Sequence, residues 1–120
     1  MRVGIDVIEL EKVPKDEKFL KKIALKSEID YINTFKCEEG RHQRVAAIWC
    51  VKEAVFKCLG LGKDSGVTTK DVELCHEQSG RPYVKLYKTA KKAFENLGLK
   101  EIEISLSHSD KVVTAIAIAQ

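Results

Sequence analysis

The stretch VGIDVIEL, residues 3–10, decides how this chain is read. Alternation puts Val3, Ile5 and Val7 on one face and Gly4, Asp6, Ile8 and Leu10 on the other. That spacing predicts a strand over residues 2–10, in a region ended by Pro14. A strand apolar on both faces is expected to be covered on both. Asp6 is the exception, because a carboxylate in an apolar run is costly unless it has a partner.

Working outward, residues 16–25 and 28–36 read as two short helices, with Ser27 as N-cap of the second. After Gly40, residues 41–59 form the strongest helix, closed by Gly60 and Gly62. At about 100° per residue, Val45, Ile48, Trp49, Val55, Phe56 and Leu59 share one stripe of that helix. Lys52 falls inside the stripe, where its stem can lie on the core while the amine reaches outward. A loop follows from Gly60 to Thr69. Strands are expected over 71–75 and 82–87, joined by a turn at Ser79, Gly80, Arg81 and Pro82. Thr89 precedes and Gly98 follows a helix over 89–97. Residues 101–107 and 111–119 alternate as a hairpin around His108, Ser109 and Asp110. Its last strand carries a small-residue face of Val113, Ala115, Ala117 and Ala119, against which another element can pack closely. The pattern is α+β, a small and largely antiparallel sheet with helices packed on it.

The 120 residues suit one domain over 1–120, and 44% hydrophobic with 32% charged composition argues for a globular chain rather than a disordered one. No apolar run approaches the roughly 18–20 residues of a membrane helix. Asp6 and Glu9 interrupt any signal-peptide core. The net charge of +3 is spread over short lysine clusters, such as Lys12–Lys15–Lys18 and Lys88–Lys91–Lys92, which argues against a nucleic-acid tract. Cys37, Cys50, Cys58 and Cys75 form no C-x-x-C pair, so free thiols and a cytoplasmic setting are expected rather than zinc.

Three stretches can carry chemistry. Glu53 and Lys57 lie one turn apart at the edge of the helix stripe, and a surface ion pair is the ordinary reading of such spacing. GLGKDSG, residues 60–66, places glycines beside Lys63, but after a helix rather than before one, which favours a helix C-cap over a phosphate loop. EISLSHS, residues 103–109, sets Ser105, Ser107 and His108 together, yet no G-x-S-x-G elbow supports a serine nucleophile. If the long helix packs on the first strand, Asp6 and Glu53 face each other. Two carboxylates suit Mg²⁺, which keeps waters and takes further oxygens from a substrate phosphate, while Lys57 neutralises phosphate charge.

Taken together, GIDVIEL at 4–10, VKEAVFKCLGLG at 51–62, ISLSHS at 104–109 and, more weakly, SGRPYV at 79–84 resemble the holo-acyl-carrier-protein synthases. These are the small single-domain class of 4'-phosphopantetheinyl transferases. The resemblance implies transfer of 4'-phosphopantetheine from coenzyme A to a serine of apo-acyl carrier protein, releasing 3',5'-ADP. It also implies a homotrimer with active sites at the subunit interfaces. Carried over by motif, Asp6 and Glu53 are Mg²⁺ ligands, with Mn²⁺ as the alternative, and Lys57 contacts the pyrophosphate. Gly60 and Gly62 shape the nucleotide site, Pro82 lies near the adenine and His108 near the 3'-phosphate. Glu53, or a water it holds, is the candidate base for the serine.

One position departs from the pattern. The family usually has an arginine five residues before the glutamate of K-E-A, and here that residue is Ile48. Arg44, one turn earlier, is the candidate substitute. Ile48 also favours a second reading, a coenzyme A-binding module of the same fold without transferase activity. Lys12 and Lys15 supply the basic stretch that an acidic carrier protein needs.

Overall fold

The computed structural model describes all residues 1–120. Its spine is α3 (Glu38–Leu59), which lies across a three-stranded antiparallel sheet of β1 (Arg2–Glu9), β5 (Val112–Ala119) and β4 (Ile102–His108), in that order. In register, Gly4 faces Ala117 and Asp6 faces Ala115 on β5, while Ile104 faces Ala117 from the other side. A separate hairpin of β2 (Val72–His76) and β3 (Pro82–Leu86) packs on the flank of α3. Two short helices, α1 (Glu17–Ile23) and α2 (Lys26–Ile32), precede the spine, and α4 (Lys88–Asn96) follows the hairpin.

The small-residue face of β5 explains how the helix sits so close. Val113, Ala115, Ala117 and Ala119 are all buried. Gly4 completes that surface on β1. A Cβ placed there would lie 2.0 Å from the Ala54 carbonyl oxygen and 2.4 Å from the Cys58 nitrogen, both backbone atoms of α3. No side chain fits between strand and helix at this point.

The helix is buried on more sides than its apolar stripe predicts. Val45, Ile48, Val55, Phe56 and Leu59 are buried as expected, but so are Ala46, Cys50, Val51, Ala54 and Cys58. The sheet covers one side, and the hairpin and α2 cover the other. Lys52 points into that second layer and is 0% exposed, rather than reaching to solvent. Its ammonium donates to Glu28 Oε1 at 2.8 Å and to the carbonyls of Thr69 and Val72, each at 2.7 Å. Glu28 in turn accepts from the backbone of Leu25 and Leu74. Burial lowers the pKa of Lys52, and Glu28 opposes that loss.

Other expectations are corrected by the same contacts. Helix α2 starts at Lys26, and the Glu28 carboxylate, not Ser27, caps its start by accepting from Leu25 N–H. The Ser27 hydroxyl instead donates to Glu73. Helix α3 begins at Glu38, so Gly40 lies within its first turn. Thr89 lies inside α4, which begins at Lys88. The outer face of β1 is not covered: Val3, Ile5 and Val7 are 55%, 61% and 64% exposed. A single chain of this length spends its core on the α3 side. The four cysteines are free, with Cys50 and Cys58 buried.

Two substitutions test this packing. Glu28→Leu leaves the Lys52 ammonium buried without its carboxylate, and should cost about 3–5 kcal/mol in urea unfolding. The double variant Glu28→Leu/Lys52→Met should recover a large part of that loss.

Candidate active site

Asp6 emerges from β1 beside α3, and its partner is Lys57. The ammonium donates to Asp6 Oδ1 at 2.9 Å and to the Ile5 carbonyl at 3.1 Å. The Asp6 side chain is 14% exposed and that of Lys57 is 56% exposed, so the lysine brings solvent-side charge to a mostly desolvated acid. Lys57 therefore turns to the strand and makes no ion pair with Glu53, its neighbour one turn away. Glu53 is half-buried, and its carboxylate accepts no hydrogen bond from the chain. Both acids still act on the lysine: the Asp6 hydrogen bond, then the charges of Asp6 and Glu53, raise the Lys57 pKa. Asp6, Glu53 and Lys57 are thus brought together at one edge of the strand–helix contact.

Cys50 lies beneath this edge and donates to the Asp6 carbonyl. Burial, then the Asp6 charge, pushes its thiol up to about 12, so it is no nucleophile. As a metal site the edge is a pair of carboxylates, and no group of three or more His, Cys, Asp or Glu side chains gathers anywhere in the chain. A pair of hard oxygen donors, one of them free of hydrogen bonds, fits Mg²⁺ better than a metal that needs a full protein cage.

Gly60 ends α3 in the left-handed conformation, φ 70°, and its N–H returns to Phe56 and Lys57. Leu61 N–H also bonds the Phe56 carbonyl, at 2.8 Å, and the Arg2 guanidinium bonds the Cys58 carbonyl, also at 2.8 Å. The helix C-cap reading holds. Gly62 has open space where a side chain would project. The loop thus keeps its surface clear beside the end of the helix that carries Lys57.

A second group lines a cavity of about 400 Å³ between α3, the β2–β3 hairpin and β4. Arg44, Ile48, Pro82 and His108 all contribute to its walls. The Arg44 guanidinium stacks 4.4 Å above the Phe35 ring and makes no hydrogen bond. Ile48 is buried in the floor. His108 Nδ1 lies 3.4 Å from the Gln43 amide, so it forms no triad with Ser105 or Ser107. Asp6, Glu53, Lys57, Gly60 and Gly62 take no part in this lining. The predicted site residues therefore fall into two groups on one chain.

Two features of the cavity escaped sequence reasoning. Tyr31 and His76 stack with centroids 4.1 Å apart, and Arg81 lines the rim while bonding Glu103 at 2.6 Å. The available signal was position: Arg81 immediately precedes Pro82 in the hairpin turn. Nothing in the sequence pairs Tyr31 with His76, which lie 45 residues apart.

The 4'-phosphopantetheinyl transferase superfamily matches residues 2–117 of the chain. A chain with this fold, this paired-acid edge and this match belongs to that superfamily. Within it the chain falls among the holo-[acyl-carrier-protein] synthases. The Caldicellulosiruptor saccharolyticus enzyme of that name is 36% identical over 121 residues, covering 98% of this chain and 94% of its own. The one from Thermoanaerobacter sp. strain X514 is 34% identical over 121 residues, covering 98% and 85%. The crystal structure of the Bacillus anthracis synthase, in complex with CoA (3',5'-ADP), superposes with TM-score 0.81 at 25% identity, covering 98% of this chain and 94% of its own.

Burial and then the Arg44 charge lower the His76 pKa below its ordinary 6.5. A depressed histidine keeps its contribution to stability above the unfolded value and loses it as pH falls below. Imidazole NMR should therefore show His76 titrating below 6.5, with Arg44→Gln moving it upward.

Proposed function

We propose that the protein, acting as one domain over residues 1–120, transfers 4'-phosphopantetheine from coenzyme A to a serine of apo-acyl carrier protein, releasing 3',5'-ADP, with Mg²⁺. The observation that carries this reading is the gathering of Asp6, Glu53 and Lys57 at one edge. The serine oxygen attacks the phosphorus that carries pantetheine, and the bond to the other phosphate breaks. Little covalent chemistry is asked of the protein; positioning and charge neutralisation are. Asp6 and Glu53 would hold the cation, which when bound neutralises charge on the diphosphate oxygens. Lys57, already cationic and half-exposed, donates to a phosphate oxygen. Glu53, or a water on it, receives the serine proton. Gly60 and Gly62 border the nucleotide, Pro82 meets the adenine, and Arg44 and His108 receive the 3'-phosphate.

The working form is a homotrimer in the cytoplasm, with sites shared between neighbouring copies. Two features support this. The outer face of β1 exposes Val3, Ile5 and Val7 beside Ile116 and Ile118, an apolar sheet surface suited to a second copy. The acids and the cavity also lie apart on one chain, as halves of a shared site would. No helix is long and apolar enough to cross a membrane. A second reading, a coenzyme A-binding module without transferase activity, is favoured only by Ile48 in the cavity floor.

Incubation with apo-acyl carrier protein, coenzyme A and Mg²⁺ should add one phosphopantetheine mass to the carrier. EDTA should abolish the gain, and Asp6→Ala or Glu53→Ala should slow it at least about 100-fold. Coenzyme A binding by calorimetry without any mass gain would instead support the module. Light scattering should give three times the chain mass for the protein, and Ile5→Asp should give a monomer without activity.

A further inference from the structure

Asp6 is gripped at its backbone as well as at its carboxylate. Leu10 N–H bonds the Lys111 carbonyl at 2.8 Å, and alternation from that pair makes Asp6 and Ala115 partners that exchange backbone bonds. The Asp6 carbonyl therefore points into the sheet toward β5. The Ile5 carbonyl points to the open edge, where the Lys57 ammonium meets it at 3.1 Å. Two side chains also reach the Asp6 carbonyl. The Thr114 hydroxyl donates to it at 3.0 Å and the Cys50 thiol at 3.3 Å.

The two donors come from opposite sides of the sheet. Cys50 belongs to α3, on the side where Val113 and Ala115 are buried. Thr114 alternates with those residues and belongs to the outer face, beside Val7. A thiol is a weak donor and a hydroxyl a stronger one. β1 is an edge strand with β5 as its one neighbour, so ladder bonds hold its backbone from one side only. Without Thr114, the Asp6 peptide would feel the side-chain pull of the α3 face alone, and its plane would tilt that way. The carboxylate rides on that peptide.

We propose that Thr114 is a positioning residue for Asp6, fixing the direction in which the carboxylate leaves β1 and so its fit with Glu53 around a divalent cation. The inference rests on the transferase reading above and deepens it. Asp6 and Glu53 stand on different elements, so no local backbone geometry sets their spacing. Mg²⁺ accepts little departure from octahedral geometry, so a small tilt of one ligand costs affinity. Groups that hold a ligand in place are therefore worth nearly as much as the ligand's own aim. The other outer-face residues of β1 and β5 at this level, Ile5, Val7 and Ile116, are apolar, so no neighbour on those strands can replace the bond. That apolar surface is also the one proposed for contact with a second copy. Thr114 thus joins the subunit-facing side of the sheet to the cation-facing side through one carbonyl.

Titration of the full protein with Mn²⁺, read from the electron paramagnetic resonance signal of the free ion, tests this without any turnover. Thr114→Val keeps the shape and removes the donor, and should weaken Mn²⁺ binding about 3–10-fold. Thr114→Ser, which returns the hydroxyl, should recover most of that affinity. Neither the thermal midpoint nor the mass by light scattering should fall in Thr114→Val, since valine suits an apolar strand face. In the transfer assay Thr114→Val should need more Mg²⁺ for its half-maximal rate and regain the unaltered rate at saturation. Unchanged Mn²⁺ affinity in Thr114→Val, or a loss that Thr114→Ser does not recover, overturns the role of Thr114 and leaves the transferase reading standing. If the unaltered protein binds Mn²⁺ no better than Asp6→Ala does, the cation site of the transferase reading itself fails.

Discussion

The absence of a side chain at residue 4 is the constraint on which the rest depends. Backbone atoms of Ala54 and Cys58 occupy the space that any Cβ at Gly4 would need. With alanines facing α3 from β5, helix and strand approach to backbone contact. That distance lets a short acid, Asp6, meet a long cation, Lys57, from the neighbouring element. A thicker interface would separate the carboxylate of β1 from both Lys57 and Glu53. The glycine thus sets the geometry of a site to which it contributes no atom of its own chemistry.

The second layer is held by a different force. The β2–β3 hairpin shares no strand pairing with the main sheet. Lys52 ties it to α3 through Val72 and Thr69, and Glu28 ties α2 to the same knot through Leu74. Burying charges is expensive, so each must find full hydrogen bonding, and only one placement of hairpin and helix provides it. The hairpin carries Arg81 and Pro82, while α3 carries Arg44 and Ile48. The cavity between them is therefore shaped by an ion pair that takes no part in its lining.

Much of this was legible in the sequence. Alternation in residues 3–10 and 111–119, and the glycine after Leu59, gave the strands, the small-residue face and the helix end within a residue or two. Asp6 in an apolar run announced a partner. What sequence could not supply was the identity of that partner. Lys57 stands four residues from Glu53 and fifty-one from Asp6, so local spacing favours the wrong pair. Lys52 was misread for a related reason: a lysine on an apolar stripe ordinarily snorkels, and only the packing of Glu28 from a distant helix keeps it inside. The open face of β1 was hidden because alternation tells which residues share a face, not how many faces one chain can cover.

Lys52 has a consequence for its neighbour. Residues 52 and 53 project about 100° apart around one helix. With the ammonium of Lys52 held by three oxygens in the interior, α3 can neither spin about its axis nor slide along it without stranding a buried charge. The azimuth of Glu53 at the surface is therefore set from within. In the K-E pair the first residue acts as a key in its slot, and the second is the pointer that the key aims.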